Sequence, residues 1–261
     1  MTMEKNKIAM ESGHFYRRDG TPCHEVPYAD PSKGMRPTTL RDLRKLDLVP
    51  SVTQILKEAA TPQLTAWKVK QAMLSALTLP RLENEPDEAF CNRIIQDSKE
   101  EARKAAERGT ELHGAIEKAI IARSIPMNSP WTKHITAIHL ELSKRSIDIF
   151  DGDGDAEKSF AHISGYGGKI DFSKKDSVIL DFKNKPRIED DKQYGYDEQC
   201  AQLAAYRHGL DFDQHSTRLL NVFVGCEDAR IVIVEWSTEE AARALQMFLC
   251  LLKYWKAKNR L

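Results

Sequence analysis

Gly165 to Lys183 reads GYGGKIDFSKKDSVILDFK, and this stretch decides the fold. Two apolar, β-branched runs flank the polar residues Ser173 to Ser177, the pattern of a β-hairpin. With the turn centred near Asp176, Asp171 and Asp181 lie at equal distances from it and face each other across the two strands. Alternation puts Lys183 on the face of Asp181, with Leu180 and Phe182 on the other. Two carboxylates placed opposite each other repel and weaken a bare sheet, unless a cation lies between them. Oxygen ligands of this kind suit a hard divalent ion such as magnesium or manganese. Charged pairs on an exposed hairpin are ordinary by themselves, so the rest of the chain has to carry the weight.

The composition, 41% hydrophobic and 30% charged, is that of a globular chain rather than a disordered or membrane-spanning one. The 39 basic and 39 acidic side chains cancel, so any surface for a polyanion must be local. Lys169, Lys174, Lys175, Lys183, Lys185, Arg187 and Lys192 gather around the hairpin and are the candidate patch. Cys23, Cys91, Cys200, Cys226 and Cys250 are scattered and contain no C-x-x-C pair, which argues for a reducing compartment and against a zinc ribbon. No apolar run is long enough to span a bilayer, and residues 1–20 lack the apolar core of a signal peptide. The expected location is the cytoplasm of a bacterial host cell.

Outward from the hairpin on its N-terminal side, residues 1–107 read as a strand and helical cap. Thr39 caps a short helix to Leu46. Ser51 and Gln54 have capping-box spacing, with Val52, Ile55 and Leu56 as an apolar stripe that Trp67 and Val69 continue. A charged helix runs from Pro86 or Asp87 to Arg108, and Gly109 ends it. Thr110 then caps a new helix, GTELHGAIEKAIIA (109–122), with His113 and Glu117 one turn apart. A further helix spans Pro130 to about Lys144. Asp151-Gly-Asp-Gly-Asp155 resembles the start of a calcium loop, but Ala156 and His162 stand at its sixth and twelfth positions, so it reads as a turn. Glu157 to Ile163 is the strand entering the sheet.

On the C-terminal side, Asn184 to Gly195 is a polar connection and Glu198 to Leu210 a helix with Gln199, Gln202 and Tyr206 along one side. Leu219–Gly225 and Ile231–Trp236 are two more strands. Ser237 and Glu240 box the start of a last helix to about Lys258, with Ala242, Leu245, Phe248, Leu252 and Trp255 inward. A single α/β domain, residues 1–261 with its core at 108–261, is the simplest account: a central mixed sheet flanked by helices.

His113 on a helix, Asp171 on a strand, Asp181-x-Lys183 on the next, and Gln202-x-x-x-Tyr206 on a helix follow in fixed order. Through GTELHGAIE (109–117), GYGGKIDF (165–172), VILDFKNK (178–185) and QLAAY (202–206), the chain resembles the RecB-like branch of the PD-(D/E)XK nuclease superfamily. The segment from Pro50 to Leu56 is also similar to the N-terminal part of phage and prophage members. No cysteine cluster for an iron–sulfur centre and no P-loop accompany these motifs, so the resemblance is to the stand-alone exonucleases.

The resemblance implies a restriction-endonuclease-like core and hydrolysis of DNA phosphodiester bonds with one or two Mg²⁺ or Mn²⁺ ions. Asp171, Asp181, His113 and the Phe182 backbone carbonyl would bind metal. Lys183 would orient or help deprotonate the attacking water. Gln202 and Tyr206, with Lys185 and Gln199 beside them, would shape the site and touch the DNA strand. Glu117 either reaches a second ion or holds His113. Glu157 stands where such sequences often carry an acid, with no role attached. The implied setting is phage or bacterial recombination, repair or DNA degradation, acting on ends or single strands, with a recombination or annealing protein as a possible partner. The alternatives are a structure-specific endonuclease and a nuclease fold kept as a non-catalytic binding or assembly module.

Overall fold

The computed structural model describes residues 14–261; residues 1–13, part of the stretch read for a signal peptide, lie outside the described residues. The chain opens with strands β1 (Phe15–Tyr16), β2 (Glu25–Pro27) and β3 (Met35–Pro37), helix α1 (Leu40–Leu46), strand β4 (Val49–Pro50) and the short helix α2 (Val52–Leu56). Helices α3 (Pro62–Thr78), α4 (Asp87–Ala122) and α5 (Thr132–Ser143) follow. Then come β5 (Asp155–His162), β6 (Tyr166–Lys174), β7 (Val178–Lys185), α6 (Asp197–Gly209), β8 (Arg218–Gly225), β9 (Ile231–Trp236) and α7 (Thr238–Lys258). The last five strands form one mixed sheet in the order β5-β6-β7-β8-β9. Only β7 and β8 run parallel within it, joined by the α6 crossover that a parallel pair requires. Among the described residues no helix is long and apolar enough to cross a membrane.

Both faces of the sheet are covered, which is why β7 and β8 read as near-continuous apolar runs. Val178, Leu180, Phe182, Leu220 and Val222 pack on Leu112 and Ile116 of α4 and on Ile138 and Leu142 of α5. Ile179 and Leu219 face the other way, against Leu203 and Tyr206 of α6 and Phe248 and Leu252 of α7. Residues two apart on a regular strand share a face, yet Ile170 joins the α6–α7 core and Phe172 the α4–α5 core. β6 therefore turns over at Asp171. β5 does the same between Ala156 and Phe160, where Glu157 adopts a left-handed φ of 54°.

The hairpin register agrees with the turn centred on Asp176: Lys174 pairs with Val178 and Phe172 with Leu180. The ladder stops there, one step short of Asp171 and Asp181. On its other side β6 pairs Phe172 with Ala156 and Ile170 with Lys158 but skips Asp171 and Glu157. The sheet thus opens on both flanks of Asp171.

Several expectations need correcting. Gly109 does not end a helix: α4 is continuous over 36 residues, a rod of about 54 Å. Thr110 does not cap, since its hydroxyl donates to the Ala106 carbonyl at 3.0 Å. Gly109 instead allows close approach, because Asn184 Nδ2 donates to its carbonyl at 2.9 Å and a Cβ there would meet that nitrogen at 3.0 Å. The stripe of α2 is not continued by α3: Val69, Met73 and Leu77 are exposed, and α3 packs along α4. In α7 the inward alanines are Ala241 and Ala244, while Ala242 faces solvent. The Asp151–Asp155 segment bends over Asp151 to Gly154 and enters β5 at Asp155, with Asp151 and Asp153 both holding the Lys174 ammonium.

Residues 15–56 pack into the core rather than over it. Phe15, Leu43, Val52 and Ile55 share one cluster with Ile179 and Leu203, and Ser51 bridges Gly167 of β6. The α1 start holds this segment in shape. Thr39 N–H donates to Asp42 Oδ2 at 3.0 Å, and the Asp42 N–H returns a bond to the Thr39 hydroxyl. Arg36 adds paired bonds to the same carboxylate at 2.7 and 2.8 Å, and its guanidinium holds Asp42 well below the usual carboxylate range. A carboxylate with a depressed folded pKa contributes stability above its unfolded value, which is lost as pH falls through the folded one. Asp42→Ala should therefore cost about 1–2 kcal/mol in urea unfolding at neutral pH. The deficit should shrink once pH drops below about 4; a pH-independent deficit would assign the effect to packing alone.

Candidate active site

The opened hairpin, a covering helix and the crossover helix bring polar side chains to one place. Asp181 of β7 lies opposite Asn221 of β8. Extending the neighbouring registers by one step adds Asp171 and Glu157. A transverse row Glu157–Asp171–Asp181–Asn221 thus crosses four strands of the sheet.

Asp181 is buried, and such a charge needs every lone pair engaged. Lys183 Nζ approaches both oxygens, at 3.0 and 2.9 Å. Gln202 Nε2 donates to Oδ1 at 3.0 Å and Asn221 Nδ2 to Oδ2 at 2.8 Å. The amide orientations follow from donor chemistry. The Trp236 indole can only donate, and it does so to Asn221 Oδ1 at 2.8 Å, which turns Nδ2 toward Asp181. Lys183 likewise donates to Gln202 Oε1 at 3.0 Å, leaving the Gln202 NH₂ for Asp181 and for the Tyr206 hydroxyl at 2.9 Å. Burial opposes the Lys183 charge, but Asp181, helped by Asp171 and Glu198, outweighs it and the ammonium is held above its usual pKa.

Asp171 is less well supplied. It accepts from the Phe182 backbone N–H at 2.7 Å, in place of a ladder bond. Burial first, then repulsion from Asp181, push its carboxyl well above the usual range, against the pull of Phe182 N–H and Lys183. His113 Nδ1 stands 3.7 Å from Asp171 Oδ2. Burial lowers the His113 pKa, favouring the neutral imidazole that ligates metals. One ligand atom each from His113, Glu157 and Asp171 lies within 4.8 Å of the others. These three residues, with Glu117, Lys169, Asn184 and His14, line an open cavity of about 800 Å³.

The structure therefore gathers His113, Asp171, Asp181 and Lys183, with Phe182 offering backbone between them and Glu117 on the cavity wall. Gln202 and Tyr206 are buried behind Asp181, where they hold the site from within. Gln199 is committed elsewhere: its Oε1 accepts from Tyr196 N–H and closes the N-terminus of α6. Lys185 lies over the Phe223 ring at 5.7 Å, and burial lowers its pKa. The basic patch is smaller than its sequence count, because Lys174, Arg187 and Lys192 pair with Asp151, Glu227 and Glu189. Sequence reading missed Asn221 and Trp236. A lone Asn inside RLLNVFVG, a run that must be buried on both faces, was the available signal.

Neither a family model nor a curated protein matches the chain. A solved structure described as "Crystal structure of SSO0001" is similar at 15% identity over 72% of this chain and 85% of that one, with a TM-score of 0.27. At that score the likeness carries no argument.

A carboxyl whose folded pKa is raised costs native stability at every pH above its unfolded value, and the cost disappears below it. Asp171→Asn keeps the acceptor for Phe182 N–H and removes the charge. In metal-free buffer at neutral pH the variant should melt higher than the parent by about 2–4 °C for each kcal/mol relieved. The gain should vanish below about pH 4; an unchanged or lower melting temperature at neutral pH would overturn this account of Asp171.

Proposed function

We propose that the chain is a metal-dependent deoxyribonuclease, an exonuclease working on DNA ends or single strands. The observation that carries the reading is the pair of buried Asp181 with part-buried Lys183, set one register step from the under-supplied carboxylate of Asp171 beside His113. Two neighbouring carboxylates share one part-buried ammonium, and a divalent cation would remove that mismatch. The donor set fits such an ion: carboxylate oxygens, a backbone carbonyl and one imidazole suit Mg²⁺ or Mn²⁺. His113, Asp171, Asp181 and the Phe182 carbonyl would hold it. When bound, a divalent ion supplies positive charge to the attacked phosphate and lowers the pKa of its water.

The chain's own groups account for the remainder of the chemistry. Lys183 is charged, fixed by Asp181 and Gln202, and placed to orient the attacking water and to balance charge growing on the phosphate oxygens. Asn221 and Tyr206 keep Asp181 and Gln202 from turning away. Lys169 lines the cavity and, once released from Glu157, would offer a cation to the DNA backbone.

Asp181→Ala and Lys183→Ala should each lower cleavage by at least about 10²-fold while leaving the fold intact by circular dichroism. The assay is end-labelled single-stranded, blunt duplex and closed circular DNA with Mg²⁺, Mn²⁺ or EDTA. Loss of linear DNA with circles spared is the expected result, and nicked circles would make the protein an endonuclease. Normal turnover in either variant, or cleavage in EDTA, would sink the assignment.

A further inference from the structure

Glu157 has no task in the site as described so far. We infer that Glu157 is a direct ligand of the cation held by Asp171 and His113, and that Lys169 occupies its carboxylate until the cation arrives. The inference rests on the nuclease reading for the purpose of the ion, though not for its binding.

Three observations support it. Ligand atoms of Glu157, Asp171 and His113 already lie within 4.8 Å of one another. Oxygen and nitrogen ligands at about 2.0–2.6 Å from one ion stand about 3–5 Å apart, so the three can close on a single ion with small side-chain movements. The backbone is the second. A glutamate in the left-handed region inside a strand is disfavoured, whereas glycine would sit there freely. That conformation turns β5 over beside Asp171 and leaves both residues out of the ladder.

The third is how each acid of the row is partnered. Both Asp181 oxygens are engaged by Lys183, Gln202 and Asn221, and its side chain is only 4% exposed. Glu157 pairs with Lys169, whose side chain is 47% exposed and free to swing into solvent. An ion pair with one partner in water is weak, so a divalent cation displaces Lys169 more readily than Lys183. The charges then balance: Glu157, Asp171 and Asp181 carry three negative charges, and Lys183 with one divalent ion carries three positive ones. Glu117 lines the same cavity but lies outside the cluster, which makes it the control for a carboxylate acting only through its field.

The test is calorimetric titration of the EDTA-stripped full chain with Mn²⁺, in the parent, Glu157→Gln, Glu117→Gln and Lys169→Met proteins, each checked for folding by melting. Glu157→Gln should weaken binding by about tenfold or more, Glu117→Gln should change it less than about threefold, and Lys169→Met should tighten it. Equal losses in the two glutamate variants, or parent-like affinity in Glu157→Gln, would overturn the ligand. Weaker binding in Lys169→Met would overturn the displacement. The cleavage assay separates the two readings. A parent that binds Mn²⁺ through Glu157 yet cuts no DNA removes the nuclease and leaves the metal site. A parent that cuts DNA while Glu157→Gln keeps parent-like affinity removes this inference alone.

Discussion

A carboxylate buried in the middle of a sheet covered on both faces needs a full set of donors, and Asp181 imposes that requirement on four elements at once. β7 answers with Lys183, α6 with Gln202 and β8 with Asn221. The indole of Trp236 on β9 sets the orientation of Asn221. Removing one member of such a network leaves a buried polar group unpaired, which costs more than the bond itself is worth. The crossover helix, the parallel pairing of β7 with β8 and the position of β9 all follow from where these donors must stand.

The neighbouring carboxylates meet the opposite condition. At Asp171 the sheet stops hydrogen bonding on both sides, and at Glu157 the backbone takes a conformation that side chains seldom adopt. A row of three acids therefore grades from fully satisfied at Asp181, through under-supplied at Asp171, to Glu157, which is held by a half-exposed lysine. Rigid support at one end and a replaceable partner at the other is the arrangement expected of a binding site rather than of a structural ion pair.

The hairpin was legible because its two apolar runs are symmetric about Asp176, and that symmetry alone gave the register. Capping at Ser237 was legible for a similar reason, since the reciprocal Glu240 sits at the required spacing, whereas Thr39 was legible by residue type and its partner Asp42 was not. Gly109 was misread because a glycine that ends a helix and one that admits a neighbouring side chain look the same in sequence. Nothing in the sequence distinguishes the exposed stripe of α3 from a core stripe, because what separates them is the partner, and α3 lies along α4 rather than on the sheet core. The row itself was half visible. Asp171 and Asp181 belong to one hairpin, but Glu157 and Asn221 join through pairings with other strands. A glutamate carries no signal for a left-handed backbone, so the turnover in β5 had to be seen in three dimensions.

The bridge from Ser51 to Gly167, and the packing of α2 against α6 and α7, tie the first elements of the described chain to its last. Contacts between residues so far apart in sequence slow folding, and synthesis proceeds from the N-terminus. Residues 15–56 therefore leave the ribosome well before the surfaces that bury them. Asp181 leaves before Asn221, and its partners are complete only once β8 and β9 have been made. The order of synthesis therefore keeps the row of Glu157, Asp171, Asp181 and Asn221 unassembled until β8 and β9 have emerged.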